Sequence, residues 1–169
     1  MSEISVRVLS VDEWELYREM RLRALTESPD AFVADAATEQ GYDEQRWRDR
    51  MERSDRLVVE SAGAPVGIAS VRMKDDLFDD AAELFSLWVT PELRGEGVAA
   101  KLVVAASEAA EQKGARQLVY WVGTDNAPAV AFASSYGFRP TEYRREPRTE
   151  SSREAGIEEE LAMVLALRR

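Results

Sequence analysis

Two residue types are missing altogether: the 169-residue chain contains no cysteine and no histidine. That excludes disulfides, thiol nucleophiles, Cys/His zinc centres and every histidine-based triad. Any general base must therefore come from Asp, Glu, Lys, Tyr or a chain of water, and no metal is expected in the site. Long hydrophobic runs are also lacking, since none approaches the roughly 20 residues that cross a bilayer. The first residues, Met1-Ser2-Glu3-Ile4-Ser5-Val6, carry neither the basic nor the apolar region of a secretory leader. A cytoplasmic location is expected. Positive charge is scarce as well: 22 Lys and Arg stand against 32 Asp and Glu, a net charge of −10. This argues against sequence-independent binding to nucleic acid or to anionic membranes.

What remains is the composition of an ordinary globular domain, 45% hydrophobic and 32% charged, long enough for one real core. A single domain over 1–169 is expected, because no repeat, linker or composition shift divides the chain. Ile4, Val6 and Val8 alternate as a first strand. Ser10 and Glu13 form a capping box that opens a helix through about Leu25, and Ser28-Pro29 ends it. A second helix runs roughly from Asp43 to Arg53, with Trp47 and Met51 on one face. Strands follow at Arg56–Glu60 and Val66–Met73, joined by Ala62-Gly63-Ala64-Pro65. An acidic turn over 74–80 precedes a strand at Ala81–Val89. A long Ala-rich helix after Gly97 presents Val98, Leu102, Ala105 and Ala109, and ends at Lys113-Gly114. Gln117–Val122 is a strand with Tyr120 and Trp121 on opposite faces. Ala127–Ser135 is a helix and Arg139–Arg145 a strand. The charged stretch 147–156 reads as a loop, and a final strand lies within Ile157–Leu167. The fold class is α/β: a mixed, largely antiparallel central sheet flanked by helices.

The chain is organised around Leu84–Leu102. An apolar strand stops at Pro91, a turn Arg94-Gly95-Glu96-Gly97 follows, and a helix begins at Val98. The first turn of a helix has N–H groups without internal partners, and the helix dipole adds partial positive charge there. Gly95 and Gly97 leave room for an approaching anion and Arg94 adds a full charge, so the stretch reads as a pyrophosphate cradle. A plain strand-to-helix turn that uses glycine for its backbone freedom is the alternative.

Val89-x-Pro91-x-x-Arg94-Gly95-x-Gly97-Val98 resembles the acetyl-CoA-binding segment of the GNAT superfamily of N-acetyltransferases. In the family frame Glu92 stands where Gln or Arg is usual. A second segment, Asn126-Ala-Pro-Ala129 through Phe132, Ala133, Tyr136, Gly137 and Phe138, resembles the family's later landmark. The likeness extends over most of the chain and is most specific from Leu84 to Phe138. It implies that Leu87, Val89, Arg94, Gly95, Glu96, Gly97, Val98, Ala99 and Asn126 bind acetyl-CoA, used as a cosubstrate. It also implies a bulge in the strand before the cradle, which would splay it from its neighbour so that pantetheine pairs near Leu87 and Val89. Asn126 equally suits a helix cap. The loop at Glu27–Phe32 and the first helices would then help form the acceptor pocket.

The resemblance further implies an acid for the departing thiolate, usually a Tyr four residues before the Gly of Gly-Phe. That position is Ala133, which leaves Tyr136, close in sequence, as the candidate acid or as a core aromatic. Glu83 is the candidate base. In strict alternation it shares a face with Phe85, Leu87 and Val89, and apolar neighbours would raise its pKa towards neutrality. Asp75, Asp76, Asp79, Asp80 and Glu83 form an acidic cluster that either steers a cationic amine or is a solvated turn. The expected activity is acetyl transfer to a primary amine of a small molecule or peptide by direct attack in a ternary complex, with a homodimer possible in the family. An acyl-CoA-binding module with little catalysis is the alternative. Gly95-x-Gly97-x-x-Ala100 also fits a dinucleotide fingerprint, but the chain after it, about 70 residues, is too short for the usual strands of that fold.

Overall fold

The computed structural model describes residues 3–28, 36–73, 78, 80–146 and 159–167. In chain order its elements are β1 (Ile4–Val8), a 3-10 turn (Val11–Glu13), α1 (Trp14–Glu27), α2 (Ala36–Gln40), α3 (Glu44–Arg53), β2 (Asp55–Ser61), β3 (Ala64–Arg72), β4 (Ala81–Val89), α4 (Val98–Gln112), β5 (Gln117–Gly123), α5 (Ala127–Ser135), β6 (Arg139–Arg145) and β7 (Glu160–Ala166). The local signals hold where they were read. The Ser10 N–H donates to Glu13 Oε1 at 3.0 Å, the Asp43 carboxylate accepts from the Arg46 N–H at 2.9 Å, and Gly114 takes a positive φ beyond the end of α4. Ala62 and Gly63, both with positive φ, close the β2–β3 hairpin, as a tight hairpin turn requires.

The strands form one sheet in the order β1-β2-β3-β4-β5-β7-β6. All neighbours are antiparallel except β4 and β5. The mixed, largely antiparallel sheet expected from sequence is the one found. The main core, with Leu57, Leu84, Val89, Val98, Leu102, Leu118 and Phe138, joins the sheet to α4 and α5. On the opposite face α1 and α3 pack Tyr17, Met20, Ala24 and Trp47 against Val58, Ile68 and Trp88.

Two details depart from the sequence reading. Helix α2 carries no apolar periodicity and was absent from it. The buried side of α4 is Val98, Leu102, Val103, Ala106 and Ala110; Ala105 and Ala109 flank that stripe half-buried, because the helix lies across a broad sheet that takes more than a narrow seam. Residues 147–156 and the segment 29–32 lie outside the described residues.

At Gly67 the strands β2, β3 and β4 crowd one another. A Cβ at this position would meet the Trp88 carbonyl oxygen and Val59 Cγ1, each at 2.8 Å. In an ordinary strand Gly→Ala is favourable, since glycine loses more backbone freedom on folding. Here the crowding reverses the sign. Gly67→Ala is expected to lower stability by about 1–3 kcal/mol in urea denaturation, and equal stability would mean that the three strands relax apart.

Candidate functional site

The site begins with one residue in β4. Ser86 has φ of 54°, a left-handed backbone that a non-glycine residue adopts at a cost. It sits where the β3–β4 register shifts between Ile68 and Ser70, so one extra residue is looped into β4 as a bulge. Because side chains alternate, the extra residue reverses the phase of everything after it. Leu84, before the bulge, and Leu87 and Val89, after it, all pack with the α4-side core. Trp88 packs on the α1 side.

This corrects the strict-alternation expectation for Glu83. Glu83 pairs with Arg72 and Phe85 with Ser70, so these four share the face that carries Trp88, not that of Leu87 and Val89. Nor is Glu83 set among apolar groups alone. It is 1% exposed and its carboxylate lies 2.9 Å from Arg72 Nη2 and 4.0 Å from Arg145 Nη1. Asp75, Asp76 and Asp79 lie outside the described residues.

The bulge also parts two strands. β4 and β5 pair in parallel only from Ala81–Gln117 to Leu84–Tyr120. Beyond that rung they diverge, and a cleft of about 730 Å³ opens between Leu87–Val89, the start of α4 and α5. That volume is in the range of small-molecule sites. Gly95, Gly97, Val98 and Ala99 line it, together with Arg94, Asn126 and Tyr136. Gly95 and Gly97 have φ of 84° and 81°, and a Cβ at either would meet nothing within 4 Å. Their role is thus double: glycine tolerates the backbone, and the space beside it is open at a helix start whose first N–H groups lack internal acceptors.

The remaining expected residues fall as follows. The Arg94 guanidinium is anchored, its Nε donating to the Val89 carbonyl at 3.0 Å and its Nη2 to Ser28 Oγ at 3.0 Å. Glu96 is an exposed turn residue and is not among the cleft-lining residues. Glu92 turns back to accept the Thr90 hydroxyl, a bond that holds its carboxyl below the ordinary range. Asn126 caps α5, its Oδ1 accepting from the Ala129 N–H at 3.1 Å, while it also lines the cleft. Ala133 is fully buried in the core, so position 133 does not face the opening. Tyr136 packs edge-on to Phe132 at 5.0 Å and lines the cleft as well.

Two further residues line the cleft: Ser28, from the Glu27–Phe32 loop expected to help form the acceptor pocket, and Tyr120, which had no role in the sequence reading. Ser28 Oγ accepts from Trp88 Nε1 at 3.0 Å as well as from Arg94, joining the end of α1 to β4. Tyr120 stands on the last rung before β4 and β5 separate, and burial pushes its hydroxyl pKa above the ordinary 10.0. It read only as an apolar strand residue.

On the other side of the sheet a buried ionic network holds the bulge. Arg21 donates to both carboxylate oxygens of Glu39, at 3.0 and 3.1 Å, and from Nη1 to Ser86 Oγ at 3.0 Å. Arg50 adds a third bond to Glu39 at 2.8 Å. Burial alone would raise the Glu39 pKa, but the two guanidiniums overcome it and hold the carboxyl below its ordinary 4.5.

The comparisons with known proteins agree on one family. The profile described as "Acetyltransferase (GNAT) family" matches residues 14–138. An uncharacterized N-acetyltransferase of Methanocaldococcus jannaschii is 29% identical over 105 residues, 57% of this chain and 44% of that protein. The match thus spans less than half the length of that relative. A second uncharacterized N-acetyltransferase, from Archaeoglobus fulgidus, is 31% identical over 100 residues, 57% of this chain and 68% of its own. Among solved structures, the PaiA N-acetyltransferase of Thermoplasma acidophilum in complex with coenzyme A has the same fold, with a TM-score of 0.66, 17% identity, and coverage of 97% of this chain and 99% of that one.

The Glu39 network has a pH signature. A carboxyl whose folded pKa is depressed stabilises the fold above its unfolded pKa, and that contribution is lost as pH falls through the folded value. Glu39→Gln is expected to cost about 3–5 kcal/mol at pH 7, because it leaves two buried guanidiniums without their counter-ion. The gap to wild type should narrow as the pH is taken below 4.5. Chemical denaturation across that range measures both effects.

Proposed function

The chain belongs to the acetyltransferase (GNAT) family, and from that premise we propose that it transfers an acetyl group from acetyl-CoA to a primary amine of a small molecule or peptide, in one ternary complex. The observation that carries this is the conjunction of a strand divergence at Ser86 with an open, two-glycine helix start at the end of the same strand. The cleft suits an elongated, multiply charged acyl carrier: N–H groups at one end and a free strand edge along its length. Gly95, Gly97, Val98 and Ala99 would hold the pyrophosphate. The backbone of Leu87 and Val89, given no ladder partner by β5, would pair with the amide arm and polarise the thioester carbonyl. Asn126 would border the same arm while capping α5.

Acetyl-CoA supplies an activated acyl group, so the chain itself needs no nucleophile, in keeping with the absence of cysteine. Its own residues would orient the amine, take up a proton and return one. The nitrogen–carbon bond forms as the carbon–sulfur bond breaks. The amine's proton passes toward Glu83, directly or through water, and the thiolate takes a proton from a tyrosine. Tyr120 suits that donor role. It lines the cleft at the point of divergence, and its hydroxyl, like that of any tyrosine, carries a proton at neutral pH. Tyr136, also in the cleft, is the second candidate for that step. A binding module without catalysis would keep the cradle and lose the proton path.

Calorimetry separates these readings. Wild type should bind acetyl-CoA with micromolar affinity, and Gly97→Glu, which places bulk and negative charge in the open space, should abolish binding. Loss of binding in both proteins would remove enzyme and binder alike.

Among the acid candidates, Tyr120→Phe should lower kcat by about 100-fold or more, with acetyl-CoA affinity kept. The same loss in Tyr136→Phe alone would transfer the role to that residue. Glu83→Gln should slow turnover at neutral pH and recover at high pH, where free amine accumulates without a base. An unchanged rate removes Glu83 from the reaction.

A further inference from the structure

On the α1-side face of the sheet, where Glu83 lies, one buried guanidinium has no carboxylate partner among the described residues, although the whole chain has a net charge of −10. Arg56 is 5% exposed. Its guanidinium donates only to neutral groups, twice to the Arg50 carbonyl at 3.2 and 3.0 Å and once to Ser70 Oγ at 2.8 Å. Among the described residues no carboxylate pairs with it. Nearby, Arg21 and Arg50 both bind Glu39. A buried guanidinium without a counter-charge is costly, and its pKa falls to about 10, through burial first and then the repulsion of Arg50 and Arg21.

Two further groups on this face lack partners. Tyr17 is 1% exposed and its hydroxyl has no hydrogen-bond partner, and the buried Nε of Arg72 has none either. Arg56 lies over the Tyr17 ring at 4.8 Å and over the Phe85 ring at 5.4 Å. Strand register places these groups together: Arg56 opposite Ser70, Ser70 opposite Phe85, and Arg72 opposite Glu83. Arg72 is the outermost of them, with 38% of its side chain exposed. The unpartnered donors are therefore the buried N–H of Arg72, a residue that also binds the candidate base Glu83, and the O–H of Tyr17.

From this juxtaposition we infer that the acceptor amine carries a carboxylate, received by Arg72 and Arg56 with the Tyr17 hydroxyl, so that the substrate is an amino acid or a similarly zwitterionic small molecule. This rests on the acetyl-transfer reading above and narrows its acceptor. A carboxylate presents two coplanar oxygens that match guanidinium donors. It would supply the missing counter-charge and hold the amine at a fixed distance, on the face that bears Glu83. A purely cationic amine would instead leave Arg56 without a counter-charge.

The test uses matched acceptors: leucine, leucinamide and isoamylamine, which share a side chain and differ at the carboxylate. Steady-state acetylation should favour leucine in kcat/KM by roughly 10- to 100-fold, the scale of a charge-assisted pair of hydrogen bonds. In Arg72→Met, whose site is exposed enough to fold, that ratio should collapse towards unity while acetyl-CoA affinity is kept. Arg56→Met is the deeper variant. The ratio within each protein cancels any general loss of rate. Equal or better use of isoamylamine by wild type overturns the inference. A second readout does not need transfer: leucine, and not isoamylamine, should raise the melting temperature of wild type without acetyl-CoA, and should do so less in Arg72→Met. If no acceptor turns over and this shift is present, the carboxylate site stands and the transferase reading falls. If neither preference nor shift is found, the carboxylate site falls.

Discussion

The left-handed backbone of Ser86 is the constraint on which the rest of the site depends. A serine at φ of 54° costs on the order of 1 kcal/mol or more, so something must hold it. The Arg21 guanidinium, itself fixed by both oxygens of Glu39, donates to the Ser86 hydroxyl. The bulge is thus tied to α1 and α2 by a buried ion pair, and its consequences follow from geometry alone. The side-chain phase of β4 reverses, β5 is left behind after Tyr120, and the strand end is aimed at the turn that starts α4. A buried pair of this kind is weak evidence for stability in itself. Its value here lies in selecting one backbone conformation at the place where the cleft opens.

This also explains how much was legible in the sequence. Periodicity, caps and turns located nearly every element, with β4, α5 and β6 at their observed bounds, because those signals are local. Helix α2 was not legible. Its five residues carry no pattern, and the helix is secured through Glu39, whose partners lie 18 and 11 residues away. The two-glycine turn before α4 was legible because glycine spacing records a backbone demand directly. The face of Glu83 was not, since strict alternation fails after one inserted residue, and nothing in Phe85-Ser86-Leu87 announces a bulge. The resemblance implied such a bulge, but the partners of Glu83 come from β3 and β6, which no spacing in β4 reveals. Tyr120 was missed for a related reason: its significance is that the β4–β5 pairing stops beside it, a property of two strands rather than one.

The two faces of the sheet divide the electrostatics. On the α4 side the cleft offers a helix start, two open glycines and a strand edge, all neutral groups with oriented dipoles that suit a large anion without a dense cluster of charge. Arg94 is the one formal cation there among the lining residues, and it is tied to the Val89 carbonyl and Ser28. A ligand arm that pairs with that carbonyl's edge of β4 must therefore displace or share this guanidinium, which would then be released close to the cradle. Arg94 directly precedes the two-glycine turn, so it lies beside the helix start proposed to take the ligand's charge.

On the proton path, the placement of the donor matters more than the type of helix that carries it. A tyrosine at position 133 would project into the core, where Ala133 is fully buried between α5 and the sheet. Tyr136 stands at the C-terminal cap of its helix, where the backbone is held by a 3-10-type bond to Ala133, and chain ends of this kind are the less rigid parts of a helix. Tyr120 is held differently: its strand is hydrogen-bonded to β4 on one side and to β7 on the other at that same residue, opposite Leu84 and Met163. A donor fixed in the middle of a sheet is preorganised by the backbone itself. It is also aligned with the point of divergence, because the rung that positions it is the rung at which the cleft begins. If the departing sulfur lies at that point, the strand tyrosine stands on the adjoining rung, whereas the other tyrosine is carried by a helix end.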